Sequence, residues 1–136
     1  MEGTKIFLDA NILVSGIIFK GKEYDLLTKN KNILFITSED ALDETRAAIN
    51  KKFPESSELV DIFLNILNLT VIKRKDYLSK LHEYTTVRDR NDKHILAAAV
   101  MGKVEYIVTG DADLLSLKTY NNISIVQARK ILSLLK

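Results

Sequence analysis

The stretch Lys5-Ile6-Phe7-Leu8-Asp9-Ala10-Asn11 decides how the rest of the chain is interpreted. Three consecutive apolar residues lead directly into an acid, which is typical of a buried strand that ends in a carboxylate. In open α/β sheets, ligands bind outside the carboxyl ends of the strands. We therefore expect Asp9 to be the fixed point of an acidic site at a sheet edge, completed by residues distant in sequence.

Length and composition favour a single globular domain over residues 1–136, with 46% hydrophobic and 28% charged residues. The absence of cysteine excludes disulfides and thiolate metal sites. No apolar run approaches the roughly 20 residues of a membrane span, and the N-terminus lacks a signal-peptide pattern, so we expect a cytoplasmic protein. The net charge of +2 is compatible with a nucleic-acid partner but too weak to indicate one.

Short, continuously apolar runs alternate with helical patterns along the chain. The predicted strands are 5–8, 33–36, 69–72, 106–109 and 123–126, and the predicted helices are 11–19, 23–29, 39–53, 59–67, 76–84, 95–101 and 128–135. Continuously apolar strands are typical of parallel sheets covered on both faces. The pattern predicts an α/β fold, a three-layer α/β/α sandwich with a central, mostly parallel sheet.

Two of the predicted helices carry apolar stripes that we expect to face inward. In the helix over 59–67 the stripe consists of Leu59, Ile62, Phe63, Ile66 and Leu67. In the helix over 76–84 it consists of Tyr77, Leu78 and Leu81. Residues 85–90 are polar and are predicted to form a loop.

Further acids occupy positions comparable to that of Asp9. Asp111 follows the strand over 106–109, and Asp113 comes two residues later. If the two strands are neighbours in one parallel sheet, Asp9 and Asp111 emerge at the same edge. Asp92 points the same way as Ile95, so it is an inward-facing acid in the first turn of a buried helix, where the helix dipole favours its charge.

The fourth acid is Glu44, which lies nearest to the apolar face of the helix over 39–53, with Asp40 as the next candidate. Each acid alone has an ordinary structural explanation as a turn, cap or solvated residue, and Asp113 in particular fits a helix cap. The functional interpretation rests on the set. Converging carboxylates repel one another and need a cation, and a purely oxygen ligand set favours Mg²⁺ or Mn²⁺.

The same segments resemble the motifs of PIN-domain proteins. Residues 6–15, Ile-Phe-Leu-Asp-Ala-Asn-Ile-Leu-Val-Ser, resemble the opening motif. Residues 38–44 resemble the second segment, with Glu44 as ligand, and residues 91–99 resemble the third, with Asp92 as ligand. Residues 106–115 are similar to the fourth and most specific segment, which contains Asp111. The resemblance spans essentially the whole chain and is nearest to prokaryotic PIN proteins assigned as ribonuclease toxins of toxin–antitoxin pairs.

This resemblance implies a Rossmann-like sheet and a divalent-metal-dependent endoribonuclease that hydrolyses RNA with metal-activated water. It implies metal ligands and catalytic residues at Asp9, Glu44, Asp92 and Asp111, with Asp113 as a direct or water-mediated ligand. The third segment of relatives often has extra acids where this chain has Arg88, Arg90 and Asn91, which leaves open whether Asp89 takes part. A small antitoxin and a homodimer are the implied protein partners.

The polar residues around the acids receive supporting roles. Asn11 and Thr109 are assigned to supporting the ligands or positioning substrate, although a helix-capping Asn11 and a strand-ending Thr109 are equally open explanations. We do not expect a histidine base, because His94 points away from Asp92 on its helix and fits a surface role better. Candidate contacts for RNA phosphates, chosen by their nearness in sequence to the acids, are Lys20, Lys22, Arg46, Arg88 and Arg90.

Other interpretations remain at this point. A PIN fold can act as a silent module that binds RNA or a protein without cutting. A haloacid-dehalogenase-like phosphatase would need an Asp where this chain has Asn11, and a receiver domain would need an acidic pair and a late lysine that are not obvious here. The sequence leaves open the RNA target, the use of single-stranded DNA and the number of metal ions.

Overall fold

A six-stranded sheet runs through the middle of the fold in the computed structural model, which describes residues 3–29, 32–85 and 87–135. The strand order is β3-β2-β1-β4-β6-β5. Every neighbouring pair is parallel except β5 and β6, which are antiparallel. The strands are β1 (Thr4–Leu8), β2 (Ile33–Ser38), β3 (Thr70–Ile72), β4 (Tyr106–Val108), β5 (Thr119–Tyr120) and β6 (Ile123–Val126).

Helices connect the strands and cover both faces of the sheet. They are α1 (Ala10–Ile18), α2 (Lys22–Lys29), α3 (Glu39–Lys52), α4 (Ser57–Leu67), α5 (Arg74–Tyr77), α6 (Arg90–Met101), α7 (Ala112–Leu117) and α8 (Ala128–Leu134). Short 3₁₀ turns at Pro54–Ser56 and Leu78–Glu83 precede α4 and follow α5. None of the helices in the described ranges has the length and apolar character required to cross a membrane.

The alternation of side chains along the strands builds one core on each face of the sheet. On β1, Ile6 and Leu8 belong to the cluster formed with α1, α2 and α8, whereas Phe7 belongs to the cluster formed with α6 and α7. Successive strand residues point to opposite faces, so a continuously apolar strand needs cover on both sides. The predicted three-layer α/β/α sandwich with a mostly parallel sheet is therefore confirmed.

The strand order determines where along the sheet a ligand site is expected. From β1 the chain moves to β2 and β3 on one side of the sheet, and β4 and β6 then continue on the other side. Phe7 of β1 pairs in register with Ile36 of β2 and with Ile107 of β4. The crevice outside the carboxyl ends of β1 and β4 is thus a topological switch point, where open α/β sheets bind their ligands.

Polar residues start the helices that leave this edge. Asp9 Oδ1 accepts a hydrogen bond from the Ala10 amide at 2.7 Å and caps α1, and Ser38 Oγ caps α3 by accepting from the Ala41 amide at 3.0 Å. Asp111 Oδ1 accepts from the amide of Asp113 at 2.8 Å and caps α7. Because free helix amides need acceptors, carboxylates are brought to the carboxyl edge for structural reasons as well.

Several sequence predictions need correction. Strand β5 was not predicted, and the helix predicted over 76–84 is α5 followed by a 3₁₀ turn. Leu78, expected to face inward, is 41% exposed, while Tyr77 and Leu81 are buried as predicted. In the predicted loop 85–90, Arg90 already belongs to α6, and residue 86 lies outside the described residues.

The apolar stripe of α4 also differs from the prediction. Leu59, Ile62 and Ile66 are exposed at 48%, 57% and 73%, and the fully buried residue of this helix is Val60. Phe63 packs partly against the core with Tyr24, their ring centroids 6.3 Å apart. The helix therefore touches the core along one edge of its stripe and leaves the rest uncovered in the described structure.

This difference in burial predicts different responses to truncation. Leu96→Ala removes a side chain that is 0% exposed, and we expect it to lower the free energy of unfolding by about 2–5 kcal/mol through lost burial and a cavity. Ile66→Ala, at an exposed position on α4, should change it by less than about 0.5 kcal/mol. Urea denaturation followed by circular dichroism measures both variants. Equal destabilisation by the two would contradict the packing described here.

Candidate metal centre

The site is built on the paired ends of β1 and β4. Leu8 and Val108 are in register, and Asp9 and Thr109 follow them directly. The Asp9 amide donates to the Val108 carbonyl at 3.2 Å, so the pairing extends one residue past the strands. The two strand ends therefore hold the backbones of Asp9 and Thr109 next to each other.

Thr109 connects the two acids that follow these strands. Its Oγ1 donates to Asp9 Oδ2 at 2.7 Å and accepts a hydrogen bond from the Asp111 amide at 3.0 Å. The side chain is fully buried. One hydroxyl thus orients the Asp9 carboxylate and fixes the start of the turn that carries Asp111.

Asp9 itself is 5% exposed. Burial raises the pKa of its carboxyl group and the charge of Asp111 raises it further, whereas the hydrogen bonds from Thr109 and Ala10 act in the opposite direction. The result is a net upward shift. A carboxylate in this position gains stability from any cation placed in the crevice.

Three acids come together beside this strand end. One carboxylate oxygen from each of Asp92, Asp111 and Asp113 lies within 4.8 Å of the others. Asp92 is 3% exposed in the first turn of α6, whereas Asp111 is half-buried and Asp113 is exposed. The inward orientation predicted for Asp92 is therefore correct, and the β4–α7 turn brings two further carboxylates to it.

The electrostatic strain of this cluster is greatest at Asp92. Burial, and then the charges of Asp111 and Asp89, raise the pKa of Asp92 to about 7; a hydrogen bond with Asp111 and the charge of Asp113 contribute further. Close carboxylates cannot all ionise without compensation. A proton or a cation must therefore accompany this group near neutral pH.

Glu44 approaches the same site from α3. Its side chain is exposed to solvent along part of its length, yet desolvation and the charges of Asp9 and Asp40 raise its pKa. Asp9 interacts with both Glu44 and Asp111, and Asp111 interacts with Asp92. All four acids predicted as ligands are thus electrostatically linked in the structure.

Asp40, the alternative to Glu44, is already engaged elsewhere. Arg74 Nε donates to Asp40 Oδ1 at 2.7 Å, and the Tyr77 hydroxyl donates to Oδ2 at 2.5 Å. The His94 Nδ1 atom contacts the same Oδ2. Burial acts to raise the pKa of Asp40, but the hydrogen bonds from Tyr77, Arg74 and His94 outweigh it, and the pKa is lowered.

This network corrects the prediction for His94. The side chain was expected to serve at the surface, but it is 12% exposed and its Nδ1 atom contacts the Asp40 carboxylate. Sequence reasoning missed the contact because the two residues are 54 positions apart and no local pattern joins them. His94 points away from Asp92 as predicted, but toward a neighbouring helix rather than toward solvent.

The remaining predicted residues are dispersed around the acids. Arg46 is paired with Asp61 of α4 at 2.7 Å, and Asn11 and Lys20 are exposed. Since Asp9 caps α1, Asn11 is not its cap residue. Arg88, Arg90 and Lys22 line separate clefts next to the site.

The donor set fits a hard divalent cation. Asp92, Asp111 and Asp113 supply carboxylate oxygens within one cluster, and Asp9 and Glu44 add charge beside it. Mg²⁺ and Mn²⁺ prefer oxygen ligands, and a cation relieves the repulsion that raises the pKa of Asp92. These residues are therefore able to hold a divalent cation.

Comparison with known proteins gives the family. The sequence model of the PIN domain matches residues 5–113, a range that includes every acid discussed above. No curated protein matches the chain in sequence. The chain belongs to the PIN domain family.

Two solved structures show the same fold. A chain of VapBC2 from Rickettsia felis, solved bound to a DNA fragment from its promoter, superposes with a TM-score of 0.60 at 21% identity, covering 90% of this chain and 97% of that chain. VapC20 from Mycobacterium tuberculosis, a toxin that cleaves the sarcin–ricin loop, gives a TM-score of 0.59 at 14% identity, covering 88% and 98%. At these identities the likeness concerns the fold.

The raised pKa of Asp92 predicts a pH-dependent effect of Asp92→Asn on the metal-free protein. The folded state holds a proton that the unfolded state releases near pH 4, so wild-type stability falls as pH rises from about 4 to about 7. In EDTA at pH 8, the variant should therefore be more stable than wild type by about 2–4 kcal/mol, with the difference vanishing near pH 4. Denaturant unfolding across this pH range measures it.

The matched control is Asp61→Asn, which removes an exposed acid on α4. Its effect should stay below about 1 kcal/mol at every pH, because it breaks only a surface ion pair. Added Mg²⁺ or Mn²⁺ should stabilise wild type more than Asp92→Asn. A variant less stable than wild type in EDTA at pH 8 would contradict the described charge crowding.

Proposed function

We propose that this chain is a divalent-metal-dependent endoribonuclease that hydrolyses RNA phosphodiester bonds, acting as the toxin of a toxin–antitoxin pair. The observation that carries the proposal is the cluster of Asp92, Asp111 and Asp113 at the switch point of a PIN fold. A module that only binds RNA or protein gains nothing from mutually repelling carboxylates gathered around a buried one. The silent-module alternative is therefore the less favoured one.

The proposed ligands are Asp9, Glu44, Asp92 and Asp111, with Asp113 binding directly or through water. They would hold one Mg²⁺ or Mn²⁺ ion or a pair of them. When bound, such an ion lowers the pKa of water for attack at phosphorus and offsets the charge that develops on the phosphate oxygens. The contribution of the protein is to fix the oxygens that hold it.

Thr109 serves this arrangement by orienting Asp9. With its hydroxyl proton committed to Asp9 Oδ2, one carboxylate oxygen keeps a fixed direction, while Asp9 Oδ1 is held by the Ala10 amide. Groups that hydrogen-bond to metal ligands tune both their geometry and their basicity. We assign Asn11, which is exposed beside Asp9 at the start of α1, to contact with substrate.

The proposed partners are RNA as substrate and a small antitoxin protein, with the chain acting as a homodimer in the cytoplasm. The PIN membership and the likeness to VapBC2 and VapC20 support the toxin assignment. The exposed side chains of Leu59, Ile62 and Ile66 on α4 support a protein partner, since contiguous exposed apolar residues commonly mark interfaces.

The direct test is cleavage of labelled RNA by the purified protein. Wild type should cut in Mg²⁺ or Mn²⁺ and be silent in EDTA. Asp9→Asn should lower kcat/KM by about 100-fold or more, since even residues behind a metal ligand commonly contribute 10–100-fold. Asp61→Asn is the matched control and should stay within about twofold of wild type.

The outcomes separate the alternatives. Equal rates for wild type and Asp9→Asn would refute the metal mechanism. Binding of RNA without cleavage in any divalent metal would favour the silent module. Single-stranded DNA of the same sequence, run in parallel, decides whether the nuclease acts on RNA alone.

A growth assay tests the toxin role separately. Expression of wild type in a bacterial host should arrest growth, whereas Asp9→Asn should not. Co-expression of a small protein encoded by the adjacent reading frame should restore growth. Arrest by both forms of the chain would show that the toxicity does not depend on cleavage.

A further inference from the structure

A cleft lies beside the acids, between α2 and α8. It opens next to Thr109 and Gly110 at the end of β4 and has a volume of about 300 Å³. Its charged residues are Lys22 and Glu23 of α2 and Arg129 of α8. Ile12, Gln127 and Ala128 complete the lining.

The charge balance distinguishes this cleft from its neighbours. The hollow containing Arg88 is also lined by Asp89, Asp92 and Asp113, and the one containing Arg90 is also lined by Asp40, Asp43 and Glu44. In each of these, a single arginine faces several acids. In the Thr109 cleft, by contrast, Lys22 and Arg129 face one carboxylate, that of Glu23.

The cations of this cleft are also uncommitted. Within the described ranges, neither Lys22 nor Arg129 has a carboxylate oxygen within 4.0 Å, whereas Arg46 and Arg74 are held in ion pairs. Both side chains are exposed. They can therefore bind an anion without first breaking an internal contact.

The cleft shares its two cations with a second hollow. Lys22 and Arg129 also line this hollow on α2 and α8, together with Leu132 and with Asp25, which forms an ion pair with Lys29 at 3.0 Å. At the end near the acids, Gly110 is exposed, and a Cβ built there would meet no atom within 4 Å. The side chain of Gln127 is exposed at the start of α8 and makes no capping hydrogen bond to that helix.

We propose that the Lys22–Arg129 cleft is a subsite that binds the backbone phosphates of RNA adjacent to the bond that is cut. This inference rests on the proposed ribonuclease function. The acids repel phosphate, so cations that are not offset by acids must hold the strand nearby. Lys22 was a predicted phosphate contact and Arg129 is new, whereas Arg88 and Arg90 each line a cleft together with several acids.

The test compares two double variants with the same charge change. Lys22→Ala/Arg129→Ala removes the cleft cations, and Lys51→Ala/Lys130→Ala removes exposed lysines of α3 and α8 that do not line the cleft. Binding of a short fluorescent single-stranded RNA is measured by anisotropy in EDTA, where no metal-dependent cleavage occurs. Salt is varied between about 50 and 200 mM.

We expect the cleft variant to raise the Kd for RNA about tenfold or more and the control to change it by less than about threefold. In the cleft variant, the plot of log association constant against log salt concentration should become less steep by about 1.4, the value for two phosphate contacts on a single strand. In the control the slope should stay as in wild type. In Mn²⁺, the cleft variant should raise KM while kcat stays within about twofold.

The two proposals fail separately. Equal Kd values and slopes for the two double variants would overturn the subsite, even if wild type cleaves RNA. Wild type that does not bind RNA in this assay would overturn it as well. Wild type that binds RNA through Lys22 and Arg129 but does not cleave in any divalent metal would support the subsite and refute the nuclease.

Discussion

The hydrogen bond from Thr109 to Asp9 joins the ends of two neighbouring strands, and the geometry of the whole site depends on it. Without a buried donor at this point, the Asp9 carboxylate would lose both its direction and part of its compensation for burial. The same hydroxyl accepts from the Asp111 amide, so the turn into α7 is set by the residue that orients Asp9. The Thr109 side chain thus connects its own turn to the Asp9 segment, which lies 100 residues away in sequence.

A second anchor holds the helices that carry the other acids. Asp40 on α3 is bound by Arg74 and Tyr77 of α5 and by His94 of α6. Glu44 lies one helical turn after Asp40, and Asp92 lies two residues before His94. The attractive contacts of Asp40 with its partners therefore lie close to the group of acids that repel one another around Asp92. The contacts of Asp40 thus tie together α3 and α6, the two helices that carry Glu44 and Asp92.

The sequence alone predicted the features that depend on residues close to one another in the chain. Apolar runs predicted β1 and β4, and helical geometry predicted the inward orientation of Asp92. It failed where a residue is placed by distant partners, as for His94, which contacts Asp40 on another helix. It also failed for α4, because a stripe such as Leu59, Ile62 and Ile66 reveals an apolar face but not what covers it.

Strand β5 was missed although a local signal exists. Asn121 and Asn122 adopt φ values of 47° and 65° between β5 and β6. Two consecutive residues with positive φ are typical of a two-residue hairpin turn, and asparagine tolerates this conformation better than most residues. The Asn-Asn pair therefore indicates a hairpin turn. The prediction missed it because β5 has two residues, too few to show the alternation or apolar run of a strand.

The position of α8 in the chain has an evolutionary consequence. Family membership is carried by residues 5–113, which hold all the acids, whereas Gln127 and Arg129 lie after this range. A substitution on α8 can therefore change the lining of the cleft without altering the acids at the strand ends. The α8 side of the cleft can diverge between related chains while the segment that holds the acids stays the same, whereas Lys22 and Thr109 of the same cleft lie inside that segment.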